Sequence, residues 1–134
     1  MGHDWCLLAV QQWIQSDYQP PQLAIMSGKV IRRVTMFKVP NPADIQMVVD
    51  AYKVMAKTAV KDGKPYMLSA VANATVDDPR NQGYTVCAQT TFASLEDMNY
   101  YDNECEAHKE LKSKAKGKVN PPPLVLFMEV DGGA

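Results

Sequence analysis

Residues 30–45 read VIRRVTMFKVPNPADI, and the change of pattern within this stretch decides the fold. Val30–Val39 is rich in β-branched and aromatic side chains, which suit a pleated surface, and reads as a strand. Alternation puts Ile31, Arg33, Thr35 and Phe37 on one face and Arg32, Val34, Met36 and Lys38 on the other. Both faces are mixed, so neither is a plain core face. Pro40 closes the strand. Asn41 is placed to cap a helix, with Pro42 at its first position and Asp44 in its first turn. From there Ile45, Val48, Val49, Tyr52, Met55, Ala56 and Ala59 recur at helical spacing and form one continuous apolar stripe.

Working outward, Lys61–Pro65 (KDGKP) ends the helix and turns the chain. Tyr66–Ala74 and Tyr84–Phe92 read as two further strands, joined by a loop over residues 77–83 that is too long for a two-residue hairpin turn. Ser94–Asp97 (SLED) is a capping box and opens a second helical region. Asp102 and Asn103 interrupt it before a helix from about Glu104 to Ala115, which Gly117 ends. Pro121–Pro123 then reads as an extended linker and Leu124–Val130 as a last strand. The order β-α-β-β-α-β predicts a ferredoxin-like α+β domain: a four-stranded antiparallel sheet with helices on one side. The other face of that sheet carries Val34 and Met36, which are too apolar for open water, and pairing two such faces in a homodimer would bury them.

The length, 134 residues, suits one domain, and 46% hydrophobic with 22% charged residues is an ordinary globular composition. A net charge of −1 gives no electrostatic reason to expect nucleic acid or an anionic membrane as partner. No apolar run approaches the roughly 20 residues that span a bilayer. Three cysteines, Cys6, Cys87 and Cys105, form no CxxC pair, so the expectation is a reduced, cytoplasmic chain without a disulfide framework or zinc site. No phosphate-binding glycine loop, metal-ligand cluster or Ser/His/Asp arrangement is present in the pattern, and no cofactor is expected.

Residues 1–25 differ from the rest. They hold no Lys or Arg, and Pro20 and Pro21 would stop a short helix over Trp5–Ile14 from propagating. The apolar run Trp5–Val10 lacks the basic flank and cleavage site of a secretory signal. The expectation is an appendage over residues 1–25, flexible or a short helix and dispensable for folding, and a folding unit over residues 26–134 that opens at Met26. The alternative is that Trp5, Trp13 and Ile14 dock on the domain.

Val30–Val39 with its following helix, Tyr84–Val86, Phe92–Asp97 and Glu106–His108 together resemble the stress-responsive A/B barrel domain family, over about Val30 to Val130. The resemblance implies a dimeric α+β barrel with a cavity for a small molecule between the sheet and helices of each subunit. Olivetolic acid cyclase-type polyketide cyclases are distantly similar, and they use a histidine base and a tyrosine in a cofactor-free aldol cyclisation. By that likeness His108 matches the closing histidine of a His-Pro-Ala-His block, whose first histidine falls near Glu104 or Cys105 and is absent. Tyr101 matches the upstream tyrosine, with Tyr100 as competitor. A histidine found in the first strand falls on Arg33. The resemblance therefore implies His108 and Tyr101 as catalytic residues. Arg33, Thr35, Phe37 and Tyr52 would be substrate-binding, with Arg33 on the ligand's negative end.

Each of these residues also has a plain structural reading. His108 lies on the stripe Cys105, His108, Leu111, Ala115 and faces the interior, where a histidine is often only a satisfied core residue. Its ordinary pKa near 6.5 suits it to accept a proton at neutral pH. Tyr101 beside a helix break is as readily a packing residue. Arg33 is either a pocket cation or one end of an ion pair. Cys87 and Cys105 read as structural, and the four lysines of Lys112–Lys118 as a solvated helix end favoured by the dipole. Two functions follow: a cofactor-free enzyme or binder for a small hydrophobic, polyketide-like or phenolic ligand, or a non-catalytic stress-associated dimer with a closed cavity. A cavity of roughly 300 Å³ or more with His108 turned into it favours the first.

Overall fold

The structure is a computed structural model that describes residues 28–132. The expectations for residues 1–25 lie outside the described residues. Strand β1 (Lys29–Lys38) leads to helix α1 (Pro42–Thr58), then β2 (Met67–Ala74), a single 3-10 turn (Pro79–Asn81) and β3 (Val86–Phe92). Helices α2 (Leu95–Asn103) and α3 (Glu106–Ala115) follow, and β4 (Asn120–Asp131) closes the domain. The sheet order is β2-β3-β1-β4 and every pairing is antiparallel, the ferredoxin-like arrangement the element order predicts.

The local signals act where the sequence puts them. The Asn41 side-chain oxygen accepts from the Ala43 N–H at 3.0 Å, and Pro42 stands in the first turn, where no N–H is required. Val48, Val49, Tyr52 and Met55 of α1 are buried against the sheet. Ser94 Oγ accepts from the Asp97 N–H at 3.1 Å, one half of the capping box. The Asp97 carboxylate does not complete it, and takes the Lys61 ammonium at 2.8 Å instead, tying α2 to the turn after α1.

The starts of β3 and α3 fall two residues later than expected, at Val86 and Glu106, and one element differs in kind. Pro121–Pro123 is not a linker but part of β4. Met36 pairs with Leu124 and Lys38 with Asn120, so these three prolines stand opposite Phe37 alone, in an irregularity of the ladder. β4 is an edge strand, and at such an irregularity the missing N–H groups leave no ladder bond unmade.

Burial resolves the mixed faces of β1. Ile31, Arg33 and Thr35 are buried beneath the helices, in register with Phe92, Thr90 and Ala88 of β3. On β4, Phe127 and Val125 stand beside Arg33 and Thr35. The apolar core, with Phe92, Val86, Met55, Val48 and Tyr101 fully enclosed, lies between this face and the helices. On the opposite face Met36 and Val34 pair with Leu124 and Leu126, and Leu126 is 53% exposed. Among the described residues no helix is long and apolar enough to cross a membrane.

Candidate functional site

A cavity of about 560 Å³ opens between the helix-facing side of β1 and β4 and one flank of α3. β1 contributes Arg33, Thr35 and Phe37, because alternate residues of a strand share a face. Tyr52 enters from α1, Asp102 from the end of α2, and His108, Leu111 and Lys112 from α3. His108 and Leu111 are three apart and Lys112 follows His108 by four, so all three share one helix face. Val119 and Val125 close the far wall. Apart from Arg33, Asp102, His108 and the lysines, the lining is chiefly apolar.

His108 is 6% exposed. Its Nδ1–H donates to the Tyr101 carbonyl oxygen at 2.9 Å. A carbonyl only accepts, so this bond assigns the tautomer and leaves Nε2 with its lone pair. The imidazole stacks on the Tyr101 ring at 3.7 Å and 10° between planes. Burial is the largest influence on its pKa and pushes it down to about 4, assisted by the charges of Lys112 and Arg33 and opposed by the bond to Tyr101. The ring is therefore neutral at pH 7.

Of the expected site residues, His108, Arg33, Thr35, Phe37 and Tyr52 come together on the lining. Tyr101 lies behind them, 2% exposed, in contact with Phe92 and, through its hydroxyl, with Tyr52. Burial raises the pKa of both phenols, that of Tyr52 to about 12, so both are un-ionised donors at neutral pH. The two readings of Arg33 are both realised. It lines the cavity, and one terminal nitrogen donates to both Asp102 carboxylate oxygens at 2.8 Å. Its Nε donates to Thr35 Oγ1 at 3.3 Å and its guanidinium lies 5.3 Å from the Tyr101 ring centre. Asp102 is the member that sequence reasoning missed. It stands 69 positions from Arg33, and only the break between α2 and α3 brings it over β1.

Among the described residues no three His, Cys, Asp or Glu side chains gather to hold a metal ion. The arrangement offers a neutral imidazole, the Tyr52 phenolic hydroxyl backed by that of Tyr101, and an ion-paired guanidinium around an apolar space.

Residues 31–120 match the family model described as the Stress responsive A/B Barrel Domain. The chain belongs to that family. A relative from Gibberella zeae, described as a Fusaristatin A biosynthesis cluster protein, is 46% identical over 107 residues, covering 78% of this chain and 77% of the relative. Solved structures share the A/B barrel domain's fold at much lower identity. A dimeric ferredoxin-like protein of unknown function from Jannaschia sp. CCS1 aligns with a TM-score of 0.61 at 13% identity, over 75% of this chain and 99% of that one. A hydroxynitrile lyase from Passiflora edulis aligns with a TM-score of 0.60 at 15% identity, over 75% and 93%.

Proposed function

We propose that this A/B barrel protein is a homodimer. Each subunit takes a small hydrophobic, polyketide-like or phenolic ligand into the cavity and acts on it without a cofactor, as a cyclase or lyase. The observation that carries this reading is His108, a neutral imidazole with a committed Nδ1 proton and a free Nε2 lone pair, on the wall of an apolar cavity of about 560 Å³. The biosynthesis-cluster relative and the lyase of the same fold support it.

In the cyclase form, Nε2 of His108 takes a proton from a carbon between two carbonyls. The resulting enolate carbon attacks a third carbonyl further along the same substrate, forming the new C–C bond. The alkoxide left on that carbonyl recovers the proton from the imidazolium. Tyr52 stands on the lining and donates its hydroxyl hydrogen bond to the developing alkoxide, while Tyr101 serves from behind. The Tyr101 carbonyl fixes the His108 tautomer and its ring fixes the imidazole plane. Arg33, with its charge met by Asp102, offers N–H groups to a substrate oxygen more than net charge. Thr35 and Phe37 shape the wall beside it.

A second reading, a non-catalytic binding protein, is favoured by the depressed basicity of His108, since a base with a pKa of about 4 is weak at neutral pH. One experiment separates the two. Phenolic and polyketide-like acids are screened by ligand-observed NMR and for conversion, with wild type and with His108→Gln. The enzyme reading expects binding to both proteins and a conversion rate about 10²–10⁴-fold lower in the variant. Binding without conversion in wild type favours the binding protein, and no binding at all overturns both.

A further inference from the structure

The charges around the cavity do not cancel. Of the acidic side chains among the described residues, only Asp102 lines it, and both carboxylate oxygens are engaged by Arg33. Lys112 and Lys116 also line it, exposed on the α3 side of the opening, and neither is paired with an acid among the described residues. The rim therefore carries two uncompensated positive charges over an apolar interior. The C-terminal end of α3 points to the same rim, and its dipole offsets about half a unit charge. A net positive rim remains. Lys112 is also near enough to His108 to depress its pKa, so the charge is felt inside the cavity.

We propose that Lys112 and Lys116 form a subsite for the anionic end of an amphipathic ligand whose apolar body fills the cavity. This rests on the ligand-binding reading above and names the ligand class: a carboxylate or a phosphate on an apolar body, not a neutral phenol or ketone. The anion stays at the opening, where it keeps part of its hydration, and the neutral reacting carbons reach His108. The lysines thus set the direction in which the ligand enters.

The test uses three probes with one apolar body: 2-naphthoate, 2-naphthyl phosphate and uncharged 2-naphthalenemethanol. Their affinities for the full chain are measured by calorimetry at low salt and in 0.5 M KCl. Both anions should bind about tenfold more tightly than the alcohol at low salt, and the difference should shrink at high salt. In Lys112→Gln/Lys116→Gln the preference should vanish while the affinity for the alcohol stays. Lys57→Gln, on the exposed last turn of α1, should leave every affinity unchanged. The order of the two anions separates carboxylate from phosphate as the natural end group. Equal binding of anions and alcohol, or a preference that survives in the double variant, overturns the subsite and leaves the cavity reading standing. If none of the probes binds, both fall.

Discussion

His108 is kept neutral by its surroundings, and that neutrality has a thermodynamic signature. Its folded pKa of about 4 lies below the ordinary value of 6.5, with burial as the main cause. Between those values the unfolded chain binds a proton that the folded one does not. The stability tied to this group is therefore complete above pH 6.5 and is lost as the pH falls toward 4. The loss should be roughly 2 kcal/mol between pH 7 and pH 4.5. Thermal unfolding of wild type and His108→Gln at both pH values checks it. The variant should lose distinctly less stability on acidification, and identical pH dependence would show that His108 does not titrate this way. His108 itself was legible in the sequence, because helical spacing puts it on the stripe with Cys105 and Leu111. Asp102 was not, because it sits on a helix and its partner on a distant strand, and local pattern carries no information about such a pair.

At the level of elements, helix starts are written locally and strand edges are not. Asn41 and Ser94 act through bonds to residues two or three positions away, and Pro42 through its own fixed backbone, so their reading needs no knowledge of the fold. Whether Pro121–Pro123 can belong to a strand depends on where that strand sits in the sheet, which sequence order alone does not reveal. β4 also turns Leu124, Leu126 and Met128 outward, beside Val34 and Met36, as one apolar strip. If two such faces meet in the homodimer, a charge in the strip should separate them. Leu126→Glu should therefore give a monomer mass by light scattering at tens of micromolar, where wild type gives a dimer. Because Leu126 is exposed in the single subunit, the variant should still fold. A wild-type monomer, or a Leu126→Glu dimer, contradicts this packing.

Across the whole molecule, the cavity lies where the crossover elements leave a gap. Helix α1 packs over β2 and β3, α3 lies against α1, and the helix-facing side of β4 is left to form a wall with β1. The outer face of the same sheet carries an apolar strip as well, so a hydrophobic ligand has two candidate surfaces, of which the cavity is the one proposed above. Amide chemical-shift mapping with a bound phenolic acid distinguishes them, using wild type and Ala115→Trp, which fills the cavity from the end of α3. The shifts should centre on Thr35, Phe37, Leu111 and Val119 in wild type and disappear in Ala115→Trp. Shifts confined to Val34, Leu124, Leu126 and Met128, or unchanged in the filled variant, would contradict the cavity as the site.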